Sequence, residues 1–172
     1  MYLTLIGNNT IITNIICFLF GIAYWTLGEN IGHRFLFHGE EYWVIYAPKN
    51  KLVLTFHFLI HGIHHAFPMD RYRLVFPPAP GFIVLYLFFG VPLENIFTYH
   101  TYAPLAMGII FGYVSYDMMH YYLHHADIKS GFMKEMKSYH MLHHYRDGEV
   151  GFGITNKLWD KLFGTELLRS NK

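Results

Sequence analysis

The chain has 172 residues, of which 53% are hydrophobic and only 15% charged, with thirteen Lys and Arg against twelve Asp and Glu. Globular domains carry about 25% charged residues, so this composition is too apolar for an ordinary soluble domain, and it excludes disorder. A net charge of +1 gives no basic stripe for nucleic acid, and the single Cys17 excludes an internal disulfide or a cysteine-rich zinc module.

Residues 1–28 contain no charged side chain. Ile11 to Leu27 is long enough to span a bilayer, with Tyr24 and Trp25 as an interfacial belt at its far end. Leu52 to Ile60 is apolar for only nine residues, which predicts a segment lying in the interface or packed beneath the spans. From Leu74 to Tyr116 the only charged residue is Glu94. Pro80 suits the first turn of a helix. Gly81 to Leu93 then rises to a polar tip at Glu94, Asn95 and His100, and Leu105 to Met119 descends. The pattern predicts a helical hairpin with arms of about 15 residues against the usual ~20, extended into the interfaces or thinning the bilayer. A re-entrant hairpin that never crosses is the alternative.

The spans so predicted run over roughly 9–28, 80–97 and 103–120, within one domain of residues 1–172. All thirteen Lys and Arg fall in residues 34–73 or 129–172, on one side of the membrane if the three tracts cross. The positive-inside rule makes that side cytosolic, or the matrix side in a mitochondrion.

Thirteen histidines are the second signal. His33 and His38 form H-x4-H; His61, His64 and His65 form H-x2-H-H; His120 and His124 form H-x3-H; His140, His143 and His144 repeat H-x2-H-H. Offsets of three and four share a helix face, so each of the last three clusters is a ligand edge. His33 and His38 stand about 140° apart on an ideal helix, so they serve two metals or the helix ends between them. All four clusters lie on the basic side of the topology. Burying so many imidazoles without partners would cost roughly 1–3 kcal/mol each, and metal ions are the simplest common partner. Ten ligands exceed a tetrahedral zinc site and fit two ions with about five nitrogens each. Imidazole alone does not choose among Zn, Cu, Fe and Ni. The fold class is therefore an all-α integral membrane protein, with about three transmembrane helices capped on one side by a helical His-rich dimetal domain.

Asp117 lies three and seven residues before His120 and His124, where its carboxylate can hold an imidazole N–H or hand a proton to oxygen. Glu29, four before His33, can do the same there. Tyr116 touches a substrate carbonyl or simply packs. His57 is a spare ligand or an outer support, His125 points about 100° away from His124, and His100 sits at the opposite surface.

These stretches resemble the membrane fatty acid hydroxylase superfamily, and within it the fatty acid 2-hydroxylase (sphingolipid alpha-hydroxylase) branch. The resemblance rests on His33-Arg-Phe-Leu-Phe-His38, His61-Gly-Ile-His-His65 with Phe67-Pro-Met-Asp70, and Arg73-Leu-Val-Phe-Pro-Pro78. It continues through Tyr116-Asp117, His120 to His124, His140-Met-Leu-His-His144, Gly151-Phe-Gly-Ile-Thr155, Leu158-Trp-Asp160 and Phe163-Gly-Thr165. It implies an O2-dependent monooxygenase acting at C2 of a long acyl chain, free or in ceramide. The implied metals are two, functionally iron, with zinc a possible occupant of a structure, on the ten clustered histidines.

The implied electron donor is a cytochrome b5-type protein; no such domain precedes residue 33 here, so the donor is expected in trans. The implied location is the endoplasmic reticulum with the His site cytosolic, or the mitochondrial inner membrane with it facing the matrix. The family carries two spans before its first His cluster, whereas only one fits ahead of His33. One face of the Ile11–Leu27 helix, with Asn14 and Gly21, is thus expected to pack against a partner membrane protein. A non-catalytic, repurposed subunit of a larger membrane complex, for example a respiratory one, is the competing class of function.

Overall fold

The structure is a computed structural model that describes residues 9–39, 50–75 and 77–167. Phe76, within the Arg73–Pro78 string, lies outside the described residues, as do both ends of the 1–172 domain. The described residues are helical and contain no strand. In chain order they form α1 (Ile11–Ile31), a π-helical segment π1 (Gly32–Phe37), α2 (Lys51–His57), π2 (Phe58–Gly62) and α3 (Ile63–Ala66). These are followed by α4 (Pro78–Leu85), π3 (Tyr86–Gly90), α5 (Val91–Ile96), α6 (Tyr99–His125), α7 (Gly131–Tyr145) and α8 (Leu158–Phe163).

Among the described residues two helical runs are long and apolar enough to cross a membrane, Ile11–Phe37 with 27 residues and Pro78–Ile96 with 19. The first run continues well past the expected end near residue 28. At ~1.5 Å per residue it measures about 40 Å against a hydrocarbon core of ~30 Å, so its polar last turns reach beyond the apolar stretch. The second begins at Pro78, two residues before the expected start, with prolines in its first turn where a missing N–H costs nothing. Its 19 residues also exceed the short arm foreseen from composition.

The chain divides into two compact units. The first comprises Met1–Thr26 and Phe76–Ser115. Here α1 meets α6 through small residues: a Cβ on Gly21 would overlap the Leu105 carbonyl, one on Gly108 would overlap that of Phe18, and one on Gly112 would stand 2.7 Å from the Trp25 ring. Such closeness is how helices associate where no hydrophobic force drives them together. Trp25 fills the junction, its ring 5.5 Å from Tyr113 and 5.8 Å from Phe89. Gly21 therefore serves a contact within the chain, and Asn14 accepts a 3.3 Å hydrogen bond from Asn9 Nδ2. Ile12, Ile16 and Leu19, exposed on α1, form the apolar surface expected of a lipid-facing span.

The second unit comprises Leu27–Val75 and Tyr116–Lys172. Asn50 starts its run of α2, π2 and α3 by accepting hydrogen bonds from the Leu52 and Val53 amides. Leu52, Phe56 and Leu59 face outward at i, i+4 and i+7, whereas His57, His61 and His64 face inward with the same spacing. The apolar stretch at 52–60 is thus the outer face of a helix whose inner face is imidazole. In α7 the buried residues are Met136, Tyr139, His140 and His143. The core of this unit is Leu123, Met136 and Ile154 set among buried histidines, Asn30 and Asp160.

Candidate metal centre

All ten clustered histidines converge in the second unit, in two groups of five. Centre one is His33, His38, His61, His65 and His143; centre two is His64, His120, His124, His140 and His144. Within each group the candidate ligand nitrogens all lie within 4.8 Å of one another. The division follows from helical phase. In each H-x2-H-H motif the first and last rings, one turn apart, go to one centre and the middle ring to the other. His61 and His65 enter centre one while His64 enters centre two; His140 and His144 enter centre two while His143 enters centre one. His120 and His124, at i and i+4 on α6, both face centre two. The rings of His65 and His144, one from each centre, lie 4.2 Å apart.

His33 and His38 join the same centre, against the alternative that they serve two metals. The backbone supplies the reason. Residues 32–37 are a π turn, and the His38 amide donates to the His33 carbonyl at 2.9 Å, an i to i+5 closure that swings the fifth residue back over the first. The helical run ends there, with His38 as its cap at φ −97°. His61 also lies on a π turn, Phe58–Gly62.

Hydrogen bonds orient the rings. His33 Nδ1–H donates to the Phe152 carbonyl at 2.7 Å, and His143 Nδ1–H to the Val150 carbonyl at 2.8 Å. Each bond leaves Nε2 as a lone pair aimed inward. These lone pairs meet other nitrogens: His33 Nε2 is 3.1 Å from His61 Nε2, and His143 Nε2 is 3.1 Å from His38 Nε2. In centre two His140 Nε2 lies 2.8 Å from His124 Nε2 and 3.0 Å from His144 Nε2. One ring nitrogen cannot donate to both neighbours. Two nitrogens each ~2.0–2.1 Å from a common ion stand ~2.8–3.4 Å apart at octahedral or tetrahedral angles, so the observed spacing fits a shared cation.

Burial keeps these rings neutral. Desolvation, aided by the charge of His143, lowers His65 to about 2, His38 to about 3 and His64 to about 4, and it holds His61 and His140 well below the usual imidazole range. Unprotonated imidazole is the form that binds metal.

The other sequence candidates fall into place around the two groups. Tyr116 is buried with its ring 5.8 Å from that of His120. Asp117 is partly buried on the same helix, one turn before His120. His57 joins neither group; its Nε2–H donates to the Phe37 carbonyl at 2.8 Å, bracing π1 beside His38. His125 packs on Tyr121, and His100, in the first unit, offers its carbonyl to Asn9.

Glu29 differs from expectation. Its carboxylate accepts from the Ile154 and Thr155 amides and the Thr155 hydroxyl at 2.6–2.8 Å, so it ties down a loop rather than orienting His33. Asp160 has a role that reasoning from the sequence missed. It is fully buried and accepts from the Phe152 and Gly153 amides, Asn30 Nδ2, Tyr139 OH and Thr165 Oγ1. Its donors are scattered from residue 30 to residue 165, and no spacing rule links them.

A membrane protein whose helical domain gathers ten imidazoles into two pockets with metal-ligand spacing belongs to the His-rich, metal-dependent class. Comparison narrows the class. The profile of the fatty acid hydroxylase family matches residues 18–165, and the chain belongs to that family. It is 44% identical over 153 residues to ceramide very long chain fatty acid hydroxylase SCS7 of Saccharomyces cerevisiae, covering 88% of this chain and 38% of that protein. It is 45% identical over 150 residues to dihydroceramide fatty acyl 2-hydroxylase FAH2 of Arabidopsis thaliana, covering 85% and 58%. Against fatty acid 2-hydroxylase of Rattus norvegicus the identity is 43% over 150 residues, covering 86% and 38%. The chain thus spans less than two thirds of the length of these relatives. A solved structure of full-length scs7p, with only the hydroxylase domain visible, superposes with a TM-score of 0.85 at 40% identity, covering 96% of this chain and 60% of that one.

Proposed function

We propose that this single domain hydroxylates C2 of a long-chain fatty acyl group, free or in ceramide. The observation that carries the reading is the pair of five-nitrogen groups, made of the ten histidines foreseen as ligands. His33, His38, His61, His65 and His143 hold one metal; His64, His120, His124, His140 and His144 hold the other. When bound, iron at these centres supplies the redox power to break an unactivated C–H bond, which no side-chain acid, base or nucleophile possesses. The overall change is balanced when one atom of O2 enters the C–H bond and the other leaves as water with two electrons and two protons. A cytochrome b5-type donor supplies the electrons. The acyl substrate, already dissolved in the bilayer, enters laterally, and the centres face the cytosol at the endoplasmic reticulum.

The chain's own groups bind and orient. Tyr116, whose ring packs on His120, contacts the substrate carbonyl. Asp117 acts beside His120 and His124, holding an imidazole N–H or a proton at its carboxylate. Asp117→Asn is expected to keep both metals and to lose activity about 10- to 100-fold, as outer partners of metal ligands typically do. Wild-type turnover, with metal content measured in parallel, would reduce Asp117 to an ordinary helix residue.

The reading is tested with the iron-loaded protein in lipid nanodiscs, a reductase-coupled cytochrome b5 and 18O2. One 18O atom at C2 of the acyl product is expected. A fully metallated, reduced protein that leaves the acyl chain untouched, or oxidises another carbon, would contradict it.

A further inference from the structure

The two centres are not held alike. Behind centre one runs the segment 150–155, and its five consecutive amides from Gly151 to Thr155 are all engaged. Gly151 N–H donates to the Thr165 carbonyl at 2.8 Å, Phe152 and Gly153 donate to Asp160, and Ile154 and Thr155 donate to Glu29. In a planar trans peptide the N–H and the preceding C=O point in opposite directions. Turning the Gly153 N–H onto Asp160 Oδ2, at 2.8 Å, therefore turns the Phe152 carbonyl the other way, onto His33 Nδ1. Turning the Gly151 N–H onto Thr165 likewise turns the Val150 carbonyl onto His143 Nδ1. Thr165 is itself fixed by Asp160, its hydroxyl on Oδ1 and its amide on the Asp160 carbonyl, both at 2.8 Å.

Both ring-orienting carbonyls thus trace back to one buried carboxylate. The geometry has no slack: Gly151 is at φ +78°, and a Cβ on Gly153 would overlap the Asn156 carbonyl and crowd Asp160 Oδ2. Centre two is not tied to this segment; its backbone contact is between the His124 ring and the Pro68 carbonyl. None of the described residues gives a hydrogen bond to Nδ1 of His140 or His144, or to either ring nitrogen of His64.

We propose that Asp160 is a positioning residue for centre one alone: by gathering the 151–165 backbone it fixes the ring orientation of His33 and His143, and so sets the metal affinity of that centre and not of centre two. The inference rests on the two-metal reading above and extends it to an inequality between the centres. Asp160→Asn keeps the volume but presents an NH2 to a pocket made of donors, which leaves at least one buried amide or hydroxyl unmet.

The test uses the full chain in detergent and competition for Zn2+ against a chelator of known affinity. Two backgrounds isolate the centres: His120→Ala with His124→Ala disables centre two, and His61→Ala with His65→Ala disables centre one. With centre two disabled, Asp160→Asn is expected to weaken Zn2+ binding about 10- to 100-fold. With centre one disabled, it is expected to leave the remaining affinity unchanged. A general loss of fold would weaken both backgrounds equally, and that result overturns the proposal, as does no weakening in the first. Should Asp160→Asn fail to fold, Thr165→Val removes a single donor from the same carboxylate. It must then show a smaller shift confined to the first background, and equal shifts or none overturn the proposal. Failure of either parent background to take up Zn2+ would overturn the metal centres themselves, a result distinct from failure of the clasp.

Discussion

Replacing His140 with alanine is expected to abolish hydroxylation and to lower the metal content from two ions per chain toward one. His140 is fully buried, and its Nε2 lies within 3.0 Å of two other ligand nitrogens, those of His124 and His144. Removing it leaves a cavity where the ligands meet, so the loss should exceed the ~10- to 100-fold typical of a group that merely supports a ligand. The control is His125→Ala, because His125 lies outside both groups and packs on Tyr121. It is expected to keep both metals and near-normal activity. Metal analysis and product assay on the two proteins, side by side, check the contrast. Equal effects of the two substitutions would mean that histidine content, not placement, governs the activity.

Acidifying the metal-free protein is expected to unfold it in mildly acidic buffer. His65, His38 and His64 are lowered to about 2, 3 and 4 in the folded chain, by burial first and by neighbouring imidazole charge second. In the unfolded chain the same rings titrate near ~6.5. Between about pH 6.5 and 4 the unfolded state therefore binds more protons, and stability falls as pH falls. Each such ring contributes a slope on the order of 1 kcal/mol per pH unit, so three together remove a few kcal/mol per unit from a total of ~5–15 kcal/mol. Bound metal stabilises the folded state and should move the transition to lower pH. Urea midpoints measured from pH 7.5 to 4.5, with and without metal, check both statements. A metal-free midpoint that stays level from pH 7 to 5 would contradict the buried, neutral state of these rings.

Much of the site was legible because helical periodicity acts on its own. Offsets of three and four put His61, His64 and His65 on one side of a helix, and His140, His143 and His144 on another. What spacing did not reveal is that each motif straddles two centres, since the neighbours at i+3 and i+4 lie on opposite flanks of the first ring. The His33–His38 pair needed a π turn, which changes the phase per residue and has no signature in Gly32–Phe37. The role of Asp160 was hidden for a different reason. A buried carboxylate is defined by its donors, and Asn30, Tyr139, Phe152, Gly153 and Thr165 come together only in the fold. The apolar tracts at 11–27 and 80–93 announced helices fit to span a bilayer, but not their full extents. Gly21 was legible as a helix-contact residue, yet sequence alone does not tell whether the contacting helix lies in the same chain.

Counting metal in the 172-residue chain, purified in detergent from iron-supplemented cells and normalised to protein by amino-acid analysis, decides whether the ten histidines hold two metal ions. Two transition-metal ions per chain are expected, falling to about one when His120 and His124 are both replaced by alanine. One ion or none in the unaltered chain, with no gain on adding metal, would contradict the account.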